Sequence, residues 1–137
     1  MPELLWNRAP ATPVATLVLA HGAGAPMDSP FMATMAGLLA ERGIEVARFE
    51  FAYMARRREE GIKAPPDRAP RLMACFQAVL DEVRRTAPGP VWVGGKSMGG
   101  RMASMLAAEG NGVAAQDVAG VIALGYPFHP PGKPEKT

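Results

Sequence analysis

Val91-Trp92-Val93-Gly94-Gly95-Lys96-Ser97-Met98-Gly99-Gly100 is the stretch on which the fold turns. Val91 to Val93 is a short apolar run of strand-forming residues. Beyond Gly100, the run Arg101-Met102-Ala103-Ser104-Met105-Leu106-Ala107-Ala108-Glu109 reads as a helix. Between strand and helix lies Gly95-Lys96-Ser97-Met98-Gly99, a Gly-x-Ser-x-Gly pattern. A serine on a sharp strand-to-helix turn is a nucleophile elbow. Such a turn is strained and crowds the positions two residues either side, and here both are glycine. The helix then starts directly behind the Ser97 oxygen. Its free N–H groups and positive dipole end favour negative charge at that point.

Two rival readings of these glycines fit less well. A phosphate-binding loop, Gly-x-x-x-x-Gly-Lys-Ser, needs glycine at position 90, where Pro90 stands. A plain glycine-rich turn with an incidental serine does not account for the strand before it and the helix after it.

Upstream, the apolar run Val14-Ala15-Thr16-Leu17-Val18-Leu19-Ala20 leads into His21-Gly22-Ala23-Gly24-Ala25. A His-Gly loop directly after a strand suits the second half of an oxyanion hole. Holding a tetrahedral intermediate takes two backbone N–H donors aimed at one oxygen. The expected donors are Met98, the residue after the serine, and Ala23, with Gly24 next in line. A dinucleotide-binding loop is excluded, because Gly22-x-Gly24 would need glycine at position 27 and Met27 sits there.

The rest of the chain alternates strands and helices. Leu4 to Trp6 reads as a short edge strand, and Val14 to Ala20 as the first core strand. A helix is expected from about Pro30 to Arg42, with Ser29 as N-cap and Gly43 at its end. Its expected apolar face is Phe31, Met35, Leu38 and Leu39. Ile44 to Phe51 reads as the second core strand. Arg56 to Pro70 reads as a polar loop, a small lid or rim, with Tyr53 and Met54 lining it. Arg71 to Arg85 reads as a helix with Leu72, Cys75, Phe76, Val79, Leu80 and Val83 inward. Asp117 to Leu124 is the last strand, and the tail from Tyr126 is Pro-rich. Alternation of this kind implies a single domain over residues 1–137, with a mostly parallel sheet between helices on both faces. Ligands bind beyond the C-terminal ends of such strands. His21, Tyr53, Ser97 and Tyr126 fall there, with His129 close behind.

Four blocks in order carry a family resemblance: residues His21 to Met32, Phe49 to Met54, Gly94 to Ser104 and Gly125 to Pro134. Together they resemble the bacterial α/β-hydrolases related to the testis-expressed hydrolase-like protein and to subunit three of the NSL chromatin complex. The resemblance implies a three-layer α/β-hydrolase fold with Ser97 as nucleophile, and no particular substrate. Members of this group continue past the Pro-rich segment into two more strands that carry an acid and a histidine. The expectation is therefore a partial domain, lacking those strands, with the triad acid and base beyond Thr137. The chain order in these enzymes is serine, acid, histidine. His21 precedes the serine, so its expected role is to brace the loop by hydrogen bonds. His129 follows the serine without an intervening acid after the last strand, which makes it a weak candidate for the base.

Composition agrees with a globular domain. Nearly half the residues are hydrophobic (48%) and 20% are charged, ordinary usage for a packed core. A net charge of +2 with few aromatics gives no nucleic-acid footprint. The run Arg56-Arg57-Arg58 is offset by Glu59-Glu60 and reads as a solvated loop or helix end; the alternative is that it draws anionic substrates toward the mouth of the site. Cys75 stands alone, so no internal disulfide forms. No Cys/His cluster has metal-ligand spacing, and neither metal nor cofactor is expected. The N-terminus lacks the pattern of a signal peptide, and no apolar run reaches the roughly 20 residues that span a bilayer. The expected address is the cytoplasm. The expected partner is a small acyl substrate, with neither nucleic acid nor membrane. Self-association through the exposed last strand is a further expectation. The alternative to an enzyme is a non-catalytic scaffold or partner-binding module on the same fold.

Overall fold

The computed structural model of the chain describes residues 1–108 and 118–125. Asp117, Tyr126 and His129 lie outside them. Among the described residues, five strands and four helices occur in the order β1 (Leu5–Asn7), β2 (Ala15–Ala20), α1 (Pro30–Glu41), β3 (Ile44–Phe49), α2 (Ala52–Glu60), α3 (Ala69–Thr86), β4 (Val91–Lys96), α4 (Met98–Ala108) and β5 (Val121–Leu124). The strands form one sheet in the order β1-β3-β2-β4-β5. β2, β3, β4 and β5 run parallel, and β1 pairs antiparallel with β3. This is the mostly parallel sheet expected from the alternation of elements.

Strand register fixes where the site lies. Ala20 pairs with Phe49 on one side and with Gly95 on the other, and Lys96 pairs with Leu124. The residues that follow these strands, including His21, Phe51, Ser97 and Gly125, therefore leave the sheet along one edge. β5 is the edge strand of the described sheet at the end opposite β1.

Alternating strand residues feed two cores. On one face Val18, Ala20, Ala47, Phe49 and Val93 pack with Leu72, Phe76, Val79, Leu80 and Val83 of α3 and with Met102, Ala103 and Leu106 of α4. On the other face Leu17, Leu19 and Val46 pack with Met32 and Ala36 of α1. Cys75 is half-buried; burial pushes its thiol up to about 11, so it remains a protonated packing residue. Among the described residues no helix is long and apolar enough to cross a membrane.

Two expectations are corrected. The buried face of α1 is Met32, Ala36 and Ala40, whereas Phe31 and Leu38 are 41% and 51% exposed. The two alanines bring the helix close to the sheet, and the larger side chains turn to its flanks. Phe31 instead lies under the Lys96 ammonium, 5.2 Å from its ring centroid. The polar stretch from Arg56 does not begin as a loop, because Arg56 to Glu60 completes α2. Gly61 closes that helix in the left-handed conformation (φ 67°), its N–H donating to the Arg57 carbonyl. Arg57 and Arg58 sit in the last turn, where cations suit the helix dipole. Residues 61–68 then form the loop.

Candidate active site

The site begins with the backbone at Ser97, which has φ 52°, the one positive value on a non-glycine residue among the described residues. A side chain is held in this region only when its surroundings impose it. Here β4 ends at Lys96 and α4 begins at Met98. The Ser97 N–H donates to the Leu124 carbonyl at 2.8 Å, and its own carbonyl accepts from the Arg101 N–H at 3.0 Å. The flanking glycines are steric requirements. A Cβ on Gly95 would sit 2.4 Å from the Gly99 carbonyl carbon, and one on Gly99 would sit 2.4 Å from the His21 carbonyl oxygen. The first turn of α4 is thus pressed against the ends of β4 and β2.

The same packing brings the two sequence motifs together. A Cβ on Gly22 would lie 3.3 Å from the Lys96 carbonyl oxygen and 3.7 Å from Ser97 Cβ. Ala23 follows it, half-buried, with its carbonyl accepting a 3.0 Å hydrogen bond from the Tyr53 hydroxyl. That hydroxyl also approaches the Met98 sulfur at 4.0 Å. Gly24 is exposed, with open space where a side chain would begin.

His21 and Tyr53, expected on the rim, are both 0% exposed and lie beneath the loop. The Phe51 N–H donates to His21 Nε2 at 3.1 Å, so Nδ1 carries the proton and donates to the Gly22 carbonyl at 2.6 Å. With both nitrogens occupied, the ring cannot take a proton from Ser97. Burial holds its pKa below the ordinary 6.5, a tendency opposed by the Gly22 carbonyl and by Glu50. Tyr53 is pushed up to about 12, mainly by burial, and stays a neutral donor.

Titration of His21 has a consequence for stability. Its folded pKa lies below its unfolded value, so the unfolded chain takes up the proton first. The contribution of His21 is fully present above about pH 6.5 and is lost as pH falls toward the folded pKa. Urea unfolding is expected to weaken between about pH 7 and pH 5 by up to roughly 1.4 kcal/mol per pH unit. In His21→Asn that slope should shrink, even though the variant starts less stable. An unchanged slope would assign the effect to other groups.

Glu50, Arg48 and Arg58 hold the outer part of the loop; the sequence pointed to no such role for Glu50 or Arg48, and for Arg58 only to a solvated helix end or a draw for anionic substrates. Glu50 is 4% exposed and accepts from the Met27 N–H at 3.2 Å and from Arg58 at 3.0 and 2.7 Å. Arg58 also reaches Asp28 at 2.7 Å. Arg48 donates to the Met27 carbonyl at 3.0 Å and to the Asn7 side chain at 3.1 Å. The available signal was the placement of Arg48 and Glu50 at the C-terminal end of the second core strand, where ligand-facing loops begin.

Residues 13–137 match the sequence family described as alpha/beta hydrolase domain. The chain belongs to that family. Among solved structures, this alpha/beta hydrolase chain is similar to an alpha-beta serine hydrolase homologue from Coxiella burnetii (22% identity, TM-score 0.66, covering 88% of this chain and 55% of that one). It is similar to XC6422 from Xanthomonas campestris, described as an a/b serine hydrolase without lid (25% identity, TM-score 0.66, covering 88% and 53%). It is also similar to Est1E from Butyrivibrio proteoclasticus (13% identity, TM-score 0.66, covering 86% and 43%). The chain therefore spans about half the length of these structural relatives. No curated protein matches it in sequence. At the C-terminal edge of the sheet Gly22 lies against Ser97, and the Tyr53 hydroxyl reaches both the Ala23 carbonyl and the Met98 sulfur; Tyr126 and His129 fall outside the described residues.

Proposed function

We propose that this chain is a serine hydrolase domain acting on an ester, thioester or related acyl bond. The observation that carries the reading is Ser97 at φ 52° on the turn between β4 and α4, with Gly22 of the His-Gly loop against it. The Ser97 hydroxyl attacks the carbonyl carbon, its proton passes to a base, and the carbonyl oxygen becomes an oxyanion. The Met98 and Ala23 N–H groups, with Gly24 next in line, hold that oxyanion. The base comes from outside the described residues, since His21 is engaged on both nitrogens. Within this sequence the candidate is His129. Kinship with the testis-expressed hydrolase-like group is part of the proposal and rests on the four sequence blocks.

One observation favours the scaffold reading: among the described residues no side chain hydrogen-bonds the Ser97 hydroxyl. Hydrolysis of p-nitrophenyl esters separates the cases. With His129 as base, Ser97→Ala and His129→Ala should each lower kcat by about 10⁴-fold. Without a base, turnover stays at the residual level of about 10³–10⁴ over water and neither substitution changes it. Full turnover that survives Ser97→Ala would overturn the serine reading. Self-pairing through β5 belongs to the same proposal. Its apolar run Val121–Leu124 carries no Lys or Pro to discourage pairing. Sedimentation velocity should show a concentration-dependent dimer, whereas a clean monomer would remove this part.

A further inference from the structure

A cleft of about 290 Å³ opens beside the loop, lined by Gly24, Pro26, Met54, Arg57 and Arg58. The two arginines differ in what they have left to offer. Arg58 is neutralised by the carboxylates of Glu50 and Asp28, to which it makes three hydrogen bonds. Its neighbour Arg56 pairs with Glu60 at 3.8 Å. Arg57 has no carboxylate partner among the described residues. Its Nε donates to the Ala64 carbonyl at 2.7 Å, and its guanidinium carbon sits 5.3 Å from the Tyr53 ring centroid. The terminal nitrogens make no hydrogen bond to any described residue. The side chain is half-buried and pinned at one nitrogen and one aromatic face, so two donors are presented with little freedom left to lose. Tyr53, on which it rests, also holds the Ala23 carbonyl.

We propose that Arg57 is the specificity-determining residue of this site, and that the acyl substrate carries an oxyanion, a carboxylate or a phosphate, seated against the Arg57 terminal nitrogens in the cleft beside Gly24. This rests on the reading of the Ala23–Gly24 loop as the oxyanion hole, which puts the cleft next to the reacting carbonyl. A guanidinium fork matches a carboxylate or phosphate, and Met54 supplies an apolar wall for the chain that connects it to the acyl group. The charge balance agrees, because the other cation of the cleft is already neutralised.

The test uses inert ligands, so it does not depend on Ser97 chemistry. Calorimetric titration of the full chain compares N-butylglutaramate, which is anionic, with N-butylpentanamide, its neutral counterpart, and adds propyl phosphate as the phosphate arm. At least one anionic ligand should bind about tenfold or more tighter than the neutral amide. That preference should collapse in Arg57→Met, survive in part in Arg57→Lys, and persist in Ser97→Ala. Circular dichroism and the unfolding midpoint establish that each variant is folded; should Arg57→Met fail to fold, the wild-type preference, its decline with salt and Arg57→Lys decide the matter. Equal binding of charged and neutral ligands by the wild type overturns the proposal. So does a preference retained in Arg57→Met, or an equal loss for both ligands, which would make Arg57 a strut for the loop at Ala64. Fluorophosphonate labelling run in parallel keeps the two readings apart: an anionic preference together with labelling that is unchanged in Ser97→Ala removes the serine reading and leaves the anion site standing.

Discussion

Gly95→Ala is expected to cost more than about 3 kcal/mol, a large share of the roughly 5–15 kcal/mol that holds a domain together. The added methyl would lie 2.4 Å from the Gly99 carbonyl carbon and 2.7 Å from both the Gly100 nitrogen and the Gly99 oxygen. All three are backbone atoms, so no side chain can rotate away. The first turn of α4 would have to lift off β4, carrying with it the packing of Met102, Ala103 and Leu106. A control sits in α1. Gly37 is helical with open space around it, so Gly37→Ala should leave stability unchanged or raise it by up to about 1 kcal/mol. Urea midpoints measure both. A folded Gly95→Ala within 1 kcal/mol of the parent, to about that precision, would mean that the turn is not as tightly packed as described.

Gly24→Val should do the reverse, sparing the fold and damaging the chemistry. The new Cβ meets nothing within 4 Å, so the unfolding midpoint should stay within about 0.5 kcal/mol. The branched side chain would crowd the cleft beside the Ala23 and Gly24 N–H groups. Loss of one oxyanion donor typically slows reaction by about 10²–10³-fold. The second-order rate of fluorophosphonate reaction at Ser97 is expected to fall by that factor. A rate within a few-fold of the parent would place the second donor elsewhere.

The strand–turn–helix passage through Ser97 was legible because everything that defines it is local. Strand, glycines, serine and helix lie within Val91–Ala108, and each residue type has a steric reason to be there. The mostly parallel sheet followed from the alternation of strands and helices along the chain, whereas the order of strands within it did not. The face of α1 was not legible, because apolar residues surround that helix: Phe31 adjoins Met32, and Leu38 and Leu39 adjoin Ala40. Choosing among them needs the sheet surface beneath. α2 escaped because its charged second half carries no apolar period; its buried residues are Tyr53 and Met54 in the first turn. The bracing role of His21 was legible from its place before the serine, but the partners of the loop tethers were hidden by distance along the chain. His21 meets Phe51 across 30 residues and Arg48 meets Met27 across 21, so neither pairing leaves a local pattern.

The central claim is that Ser97 is a nucleophile held ready by the turn, and turnover tests it only through a base that the described residues do not supply. Covalent trapping is more direct, because the adduct marks the attacking serine itself and needs only the first step, in which the base takes the serine proton. The measurement is peptide mapping of the chain after reaction with a fluorophosphonate. The account predicts a single adduct on Ser97, absent in Ser97→Ala, with Ser29 at its helix cap and Ser104 within α4 unmodified. An adduct on another serine, or labelling unchanged in Ser97→Ala, would contradict it.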